Sequence, residues 1–407
     1  MQYIPRYIED TVLEIHRTFK VLYVGGPRQV GKTTMLRHLS VKLGFSHVTL
    51  DDLNDRKLAI EDPKLFLDRY PAPLLIDEVQ YAPNLFSAIK MRVDDSDERG
   101  RYWLTGSQQW NMMKNLKESL AGRVGLVNLL GLSHAEIINT PKTKEPFTPA
   151  NTTHTVVADS PTELELFESI VRGFYPVLSQ INAPDIQTFY NSYVQTYLDR
   201  DVRELSAVVK MSNFETFLRL CAARTGQILN MSDLARDADV SLHAVREWLS
   251  ILEANMQIYI LKPYHTNLSK RLIKAPKLYF LDTGLVAFLT SWKDPESLRR
   301  GPMAGAFFET YIVAEIVKSY LFRGIIPSLY YLRDKEGHEI DILIDTGRIL
   351  VPIEIKLTAS PSNRDSANIG FWRKSIPSIT KGAIICQTKK VFPIDDMDVA
   401  LPWNAIV

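Results

Sequence analysis

Residues 25 to 34 read GGPRQVGKTT, between the apolar run FKVLYV (19–24) and the helically spaced segment MLRHLSVKLG (35–44). Gly26 and Gly31 let the backbone curl, so that consecutive N–H groups point inward at phosphate oxygens. The N-terminus of the following helix adds unpaired N–H groups and the positive end of its dipole. The alternative is an ordinary turn before a helix, and the preceding strand argues against it. The stretch predicts an α/β fold with a nucleoside-triphosphate site.

The side chains of this loop suit a nucleotide bound with a metal ion. Lys32 supplies a positive charge for the β- and γ-phosphates, and the hydroxyl of Thr33 can ligate Mg²⁺. The predicted nucleotide-binding residues of the loop are Gly26, Pro27, Arg28, Gln29, Val30, Gly31, Lys32, Thr33 and Thr34. We therefore expect Mg²⁺ to be bound together with the triphosphate.

A second apolar strand, PLLIDEVQ (73–80), ends in two carboxylates, Asp77 and Glu78. Open α/β sheets bind their ligands at the carboxyl ends of the strands, which is where these acids lie. Asp77 would hold Mg²⁺ directly or through water. Glu78 would orient or deprotonate the attacking water. An apolar strand that ends in two acids is common by itself, and only the preceding glycine loop gives this one its meaning.

Further polar groups follow along the chain. The strand RYWLTGSQQ (101–109) carries Thr105 and Ser107 at its end, where a hydroxyl would contact the γ-phosphate or the water, unless Thr-Gly-Ser is simply a turn. Arg123 stands just before the apolar segment VGLVNLL (124–130). It would stabilise the transition state in its own site or in a neighbouring chain's site, or it is an ordinary surface arginine.

Composition restricts the class of protein. Hydrophobic residues make up 45% and charged residues 23% of 407, which is typical of a soluble chain with two or three domains. The net charge of +1 gives no overall basic field, so any nucleic-acid contact must come from a local patch. Cys221 and Cys386 are the only cysteines, which favours a reducing compartment. The N-terminal residues do not resemble a signal peptide, and no apolar run approaches the ~20 residues that span a bilayer. We predict a cytoplasmic protein without a membrane partner.

The middle of the chain predicts a helical segment and a winged helix. We place the nucleotide domain at 1–160, with the Pro- and Thr-rich stretch 139–162 as a linker or mobile loop, the helical segment at 163–225 and the winged helix at 226–298. Two helices, 231–240 and 241–255, precede strands at 257–264 and 277–285. His243 and Arg246 on the second helix, with basic residues in the loop between the strands, would suit DNA. Docking of a protein is the open alternative.

The C-terminal part, 299–407, predicts a helix, three strands, a helix and a final strand at 382–388. Asp341 interrupts the apolar strand EIDILID, and Glu354 and Lys356 share one face of PIEIKL. Such groups are rare inside strands unless they are paired or bind metal, and Glu309 on the helix would add a further metal ligand. The D…ExK pattern resembles the PD-(D/E)XK nuclease fold, which implies catalytic roles for Asp341, Glu354 and Lys356. A structural ion-pair cluster is the alternative.

The motifs GGPRQVGKTT, LLIDEVQ, LTGSQQ and SLAGRVGLVNLLGLSHAEI, in this order, resemble a prokaryotic AAA+-like ATPase family with a C-terminal domain of unknown function. The resemblance implies an ATP-hydrolysing core, a winged-helix middle and a restriction-endonuclease-like α/β end, with ATP as cofactor. It gives Thr105 or Ser107 the role known as sensor 1. We expect an ATPase whose nucleotide state controls a module that cuts or only grips DNA. The alternatives are an ATP-driven protein-interaction switch with an inactive nuclease-like domain and a nucleotide-independent DNA-binding regulator. A homo-oligomer is compatible with each.

Overall fold

The computed structural model describes residues 2–106, 119–152, 161–198, 211–265 and 275–407. Its first half is built on a five-stranded parallel sheet with the strand order β2-β3-β4-β1-β5. The strands are β1 (Val21–Gly25), β2 (Ser46–Thr49), β3 (Leu74–Asp77), β4 (Tyr102–Thr105) and β5 (Val124–Asn128). Every residue of β1, β3 and β4 is buried, as expected for parallel strands that are covered on both faces.

Helices alternate with these strands. They are α1 (Glu9–Thr18), α2 (Lys32–Lys42), α3 (Leu53–Glu61), α4 (Pro63–Arg69) and α5 (Leu85–Asp94). Side-chain caps fix two of their starts, because the carboxylate of Asp52 accepts from the N–H groups of Asn54 and Asp55, and that of Asp62 accepts from the N–H of Leu65. The alternation of parallel strands and helices confirms the expected α/β fold around the glycine loop.

After β5 the chain packs along the C-terminal part of the molecule. The short helices α6 (His134–Ile137) and α7 (Pro149–Thr152) follow. Residues 139–152, which the composition predicted to be part of a linker or mobile loop, are anchored: Phe147 is buried, its N–H donates to Ser319 Oγ at 3.1 Å, and Arg323 donates to Thr143 O at 2.9 Å. Residues 153–160 of that stretch lie outside the described residues. The described part therefore belongs to the packed body of the protein.

The middle of the chain contains helices followed by two antiparallel strands. The helices are α8 (Glu163–Arg172), α9 (Ile186–Tyr193), which continues into a π-helical turn at Val194–Leu198, α10 (Met211–Ala223), α11 (Met231–Asp237) and α12 (Leu242–Ala254). The strands are β6 (Ile258–Pro263) and β7 (Lys277–Phe280), paired through Tyr259 and Tyr279. This order of two helices and two antiparallel strands is the one that the sequence predicted for 226–298.

The strands of the C-terminal part join β6 and β7 in an eight-stranded mixed sheet. The elements of this part are α13 (Thr283–Leu289), α14 (Pro295–Arg300), α15 (Ala304–Leu321), β8 (Leu329–Arg333), β9 (Glu339–Asp345), β10 (Leu350–Ile355), α16 (Ala367–Ser375), β11 (Gly382–Cys386), β12 (Phe392–Pro393) and β13 (Asp398–Pro402). The strand order is β12-β13-β11-β10-β9-β8-β6-β7. The prediction of β11 as the last strand is wrong, because β13 continues the sheet in parallel with it.

One sheet crosses the boundary that the sequence predicted at residues 298 and 299. Strand β6 pairs in parallel with β8 through Lys262 and Tyr330, so the hairpin of the middle region extends the C-terminal sheet. Helix α15 has 18 residues, most of them buried, and spans about 27 Å. It contacts the C-terminal sheet and the segment after β5. None of the helices in the described ranges combines the length and the apolarity that crossing a membrane needs.

Candidate functional site

The glycine loop lies between the end of β1 and the start of α2. Gly31 caps α2 with a φ of 92°, and Gly26 has a φ of 135°, both in the region that favours glycine. A Cβ atom on Gly26 would lie 2.0 Å from the carbonyl oxygen of Leu129, which follows β5. The loop therefore takes this shape only with glycine at position 26.

Lys32 is the first residue of α2, and its ammonium group folds back over the loop. The Nζ atom donates to the carbonyl oxygens of Gly26 at 3.0 Å and Pro27 at 2.8 Å, and the side chain is largely buried. This position, inside the curve of the loop, is where a lysine meets the β- and γ-phosphates of a bound nucleotide.

Thr33 and Asp77 come together from different elements. The hydroxyl of Thr33 donates to Asp77 Oδ1 at 3.0 Å, which joins the start of α2 to the end of β3. Burial raises the pKa of Asp77, and the hydrogen bond from Thr33 opposes that rise. A hydroxyl and a carboxylate are hard oxygen ligands of the kind that Mg²⁺ prefers, so this pair fits the expected magnesium site.

Glu78 follows β3 with a φ of 55°, a left-handed conformation that is rare for glutamate. Its carboxylate accepts a hydrogen bond from the side-chain amide of Gln80 and lines the cavity beside the loop. Gln80 in turn lies against the end of β4, where a Cβ on Gly106 would approach its Oε1 to 2.4 Å. The sequence reasoning did not select Gln80, because its contact depends on a turn that the strand pattern does not reveal.

Of the two hydroxyl groups predicted to contact the γ-phosphate or the water, the structure describes only that of Thr105. Thr105 ends β4, between β1 and β3 in the sheet, at the predicted edge. Its side chain is fully buried, its Oγ1 has no hydrogen-bond partner among the described residues, and it does not line the cavity. Thr105 is therefore not part of the cavity lining. Ser107 lies outside the described residues.

A cavity of about 680 Å³ opens in front of the loop. On the phosphate side it is lined by the loop residues together with Asp51 and Glu78. Another part of its wall consists of Gln2, Tyr3, Ile4, Pro176, Val177 and Gln180. Gln2 N donates to Gln180 Oε1 at 2.9 Å, and Gln180 Nε2 donates to Gln2 O at 3.2 Å, which ties the two segments of that wall together. The sequence reasoning missed this wall, because its segments are 178 residues apart.

Arg6, which the sequence reasoning also missed, holds the back of the loop. Its guanidinium donates to the carbonyl oxygens of Val30 at 2.9 Å, Leu130 at 2.9 Å and Gly131 at 3.1 Å. The same group pairs with Glu136 at 3.1 Å, with both side chains buried. A buried cation with this many partners is fully compensated, so Arg6 fixes the glycine loop against the segment after β5.

Arg123 lies at the wrong edge of the sheet to serve its own site. Strand β5 runs parallel to β1, with Val124 opposite Val21, so the residue before β5 lies where β1 begins. The loop lies where β1 ends, about 16 Å away for five residues of strand. The side chain of Arg123 pairs with Asp94 through two contacts of 2.5 and 3.0 Å. The predicted action of Arg123 within its own chain is therefore wrong, while action in a neighbouring chain stays a prediction.

Asp341, Glu354 and Lys356 come together on the C-terminal sheet. Lys356 Nζ lies 2.9 Å from Glu354 Oε2 and 3.5 Å from Asp341 Oδ2, and Ile355 N donates to Asp341 Oδ2 at 2.8 Å. Glu354 is 1% exposed, and its Oε1 has no hydrogen-bond partner within the described ranges. Burial, assisted by the charge of Asp341, raises the pKa of Glu354 well above its usual range. A buried carboxylate oxygen without a partner is costly, which is typical of a group kept for a ligand.

Glu309 has other partners than a metal. Its Oε1 accepts from Lys277 Nζ at 3.1 Å and from Tyr279 OH at 2.5 Å, and both of these residues belong to β7. Lys277 is buried and also pairs with Glu339. In the part of the chain that the structure describes, no three acidic, histidine or cysteine side chains are arranged to hold a metal ion. The predicted metal set that included Glu309 is therefore not assembled.

The expected DNA-binding face of the middle region is only partly described. His243 and Arg246 are exposed on α12, on the face away from the core residues Val245 and Trp248. The basic residues predicted between β6 and β7 fall within 266–274, outside the described residues. The observed geometry is two helices and a hairpin, with one face of the second helix exposed.

Comparison with known proteins agrees with a nucleotide-binding fold in the first half of the chain. Residues 18–138 match the family described as an AAA domain, and 163–296 and 304–406 match two families described as domains of unknown function, DUF8612 and DUF4143. The uncharacterized proteins Rv2008c of Mycobacterium tuberculosis and Mb2031c of Mycobacterium bovis are each 28% identical over 395 residues, which cover 97% of this chain and 82% of theirs.

Solved structures that resemble this chain in part include a Walker-type ATPase of Pyrococcus abyssi, 14% identical, with a TM-score of 0.41 and coverage of 69% of this chain and 94% of that one. A point variant of RuvB from Thermotoga maritima is 14% identical, with a TM-score of 0.28 and coverage of 62% and 86%. The AAA match and the loop geometry together identify the first half as a P-loop NTPase-like AAA domain. The C-terminal part is a mixed sheet domain.

Proposed function

We propose that this chain is a Mg²⁺-dependent ATP hydrolase whose nucleotide state acts on its C-terminal module. The main support for this proposal is the hydrogen bond of 3.0 Å between Thr33 and Asp77 beside the buried Lys32, at the loop side of a cavity of about 680 Å³. A cavity of this size accommodates a nucleotide. These three side chains supply a metal ligand from a helix, a metal ligand from a strand and a phosphate-binding cation.

Each residue has a defined part in hydrolysis. The backbone N–H groups of the loop and the ammonium of Lys32 bind the phosphates. Thr33 and Asp77 would hold Mg²⁺, whose charge would offset the negative charge of the bound phosphates. Glu78, which lines the cavity, orients the attacking water and accepts its proton. Because Gln80 donates to the Glu78 carboxylate, it acts as a positioning residue for this base.

Replacement of the base separates binding from turnover. We expect Glu78→Gln to bind Mg·ATP as the wild type does and to reduce hydrolysis by roughly 10²-fold or more, because general-base catalysis contributes about that much. Glu61→Gln, at an exposed position on α3, is the matched control and should leave both quantities unchanged. Measured phosphate release by Glu78→Gln at the wild-type rate would remove Glu78 from its assigned role.

Helix α15 supports the proposed coupling between the nucleotide site and the C-terminal module. Arg6 holds the carbonyls of Leu130 and Gly131 and also contacts Val30 in the loop. Lys318 on α15 donates to the next carbonyl, Leu132 O, at 2.8 Å. The segment after β5 is thus held by Arg6 on one side and by α15 on the other.

The same helix carries Glu309 at its other end. Glu309 and Lys318 are nine residues apart, which is about 13 Å along a helix. Glu309 pairs with Lys277 of β7, beside the cluster of Asp341, Glu354 and Lys356. A change of loop position on nucleotide binding would therefore be passed to that cluster by a rigid element.

Phosphodiester cleavage is a second candidate activity, and the unpartnered Oε1 of Glu354 favours it. Mg²⁺ is commonly bound by one or two carboxylates together with substrate phosphates, so Asp341 and Glu354 suffice if DNA supplies other ligands. Lys356, about a third exposed, would contact the attacked phosphate or the water. The exposed face of α12 would bind the DNA beside it.

Plasmid incubated with Mg²⁺, with and without ATP, tests this candidate. Cleavage that is lost in Lys356→Ala and retained in the exposed control Lys381→Ala would support it. Binding without cleavage would support a module that only grips DNA. Neither cleavage nor binding, in a preparation that hydrolyses ATP, would favour the ATP-driven protein-interaction switch.

A further inference from the structure

The γ-phosphate end of the cavity needs a cation in addition to Lys32. Charge accumulates on the γ-phosphate oxygens during transfer, and nucleotide hydrolases meet it with an arginine. Arg123 does not supply that arginine within its own chain, because it lies at the opposite edge of the sheet and pairs with Asp94. The described residues that line the cavity contain two arginines, Arg6 and Arg28.

Arg6 cannot bind the γ-phosphate without losing the contacts that hold the glycine loop. Its guanidinium already donates to three carbonyl oxygens and pairs with the carboxylate of Glu136. All of these groups are buried or nearly so, and removal of a partner from a buried ion pair is strongly destabilising. Arg6 is therefore a structural cation of the loop.

Arg28 is the other arginine among the described residues that line the cavity. The ammonium of Lys32, which in such loops contacts the β- and γ-phosphates, lies 2.8 Å from the carbonyl oxygen of Pro27, the residue before Arg28. Arg28 itself is half-buried and lines the cavity together with Thr33 and Glu78. The backbone at this point is fixed by Gly26 and by Gln29, which has a φ of 61°.

We propose that the side chain of Arg28 binds the γ-phosphate of ATP in its own chain and stabilises the negative charge of the transition state. This inference rests on the proposed ATP hydrolysis. It makes Arg28 a catalytic residue in a role different from that of the loop backbone, and it makes the site complete within one chain.

The chemical step balances without a proton from Arg28. The water oxygen forms a bond to the γ-phosphorus, and its proton passes to Glu78. The bond from the γ-phosphorus to the bridging oxygen breaks, and its electron pair leaves with ADP. Arg28 remains protonated throughout, as an arginine does at any ordinary pH, and contributes only hydrogen bonds and charge.

The test compares Arg28→Ala and Arg28→Lys with the wild type. We expect Arg28→Ala to lower kcat by about 10³-fold or more, which is the range found for arginines in this role. The Kd for Mg·ATP should change by less than about tenfold, since Lys32 and the loop backbone remain, and this retained binding shows that the loop is folded. Arg28→Lys should recover only part of kcat, because lysine lacks the planar fork. Arg17→Ala, an exposed arginine on α1, is the matched control.

Two readouts separate this proposal from an arginine supplied by a neighbouring chain. The rate per chain should be independent of protein concentration, and the complex of ADP with aluminium fluoride should form in the wild type and not in Arg28→Ala. A kcat of Arg28→Ala within threefold of the wild type would overturn the proposal. A rate per chain that rises with concentration and is lost in Arg123→Ala would also overturn it. A wild type that neither binds nor hydrolyses ATP would instead overturn the proposed function itself.

Discussion

Replacement of Lys318 by methionine should destabilise the protein through the charge that it leaves behind. Lys318 is 1% exposed and donates to Leu132 O at 2.8 Å and to Glu315 Oε1 at 2.7 Å. Without the ammonium, the carboxylate of Glu315 stays buried, and among the described residues the N–H of His134, at 2.8 Å, is its remaining hydrogen-bond donor. Removal of one partner of a buried ion pair costs about 3–5 kcal/mol, so we expect a loss in that range for Lys318→Met.

The double variant Glu315→Gln/Lys318→Met removes both charges and should be less destabilised than the sum of the single variants by at least about 2 kcal/mol. Urea unfolding of the four proteins measures this coupling. The exposed pair Asp233 and Arg236, 3.1 Å apart on α11 with the same i,i+3 spacing, provides a control cycle with a coupling below about 1 kcal/mol. Equal coupling in the two cycles would show that burial does not strengthen the pair of Glu315 and Lys318.

Other predictions test the loop, a buried histidine and the acidic cluster. Gly26→Ala should abolish Mg·ATP binding in calorimetry, because its Cβ would meet Leu129 O at 2.0 Å. Burial lowers the pKa of His134 to about 4, so stability should fall as the pH drops from 6.5 to 4, and His134→Phe should reduce that fall in urea titrations by up to about 3 kcal/mol. Burial raises the pKa of Glu354, so ionisation of this carboxyl group lowers the stability of the folded protein as the pH rises. In thermal melts, Glu354→Gln should therefore be more stable than the wild type at pH 8, and the difference in stability should be smaller at pH 5.

The nucleotide loop was predictable because its chemistry is local in sequence. The strand, the two glycines and the helix start lie within about a dozen residues, so the position of Lys32 follows from the loop alone. The meeting of Thr33 with Asp77 was also predictable, because parallel strands bring their carboxyl ends to one edge. The same rule argues against Arg123: a residue that precedes a parallel strand lies at the opposite edge, which the sequence reasoning did not apply.

Features that depend on distant pairing were not predictable. The partners of Glu309 are on β7, and the hairpin that contains β7 joins the C-terminal sheet through two pairs of residues, a contact without a sequence signal. Arg6 reaches carbonyl groups more than 120 residues away, and backbone acceptors leave no pattern in the sequence. By contrast, Asp341, Glu354 and Lys356 were found because charged groups within or directly after apolar strands are conspicuous.

Calorimetric titration of the full chain with ATP in the presence of Mg²⁺ shows whether the loop around Lys32 binds a triphosphate. We expect one saturable site per chain, weakened strongly when Mg²⁺ is chelated and lost in Lys32→Ala, while Lys42→Ala at the exposed end of the same helix binds normally. Absence of binding by the wild type, or equal binding by Lys32→Ala, would contradict this expectation.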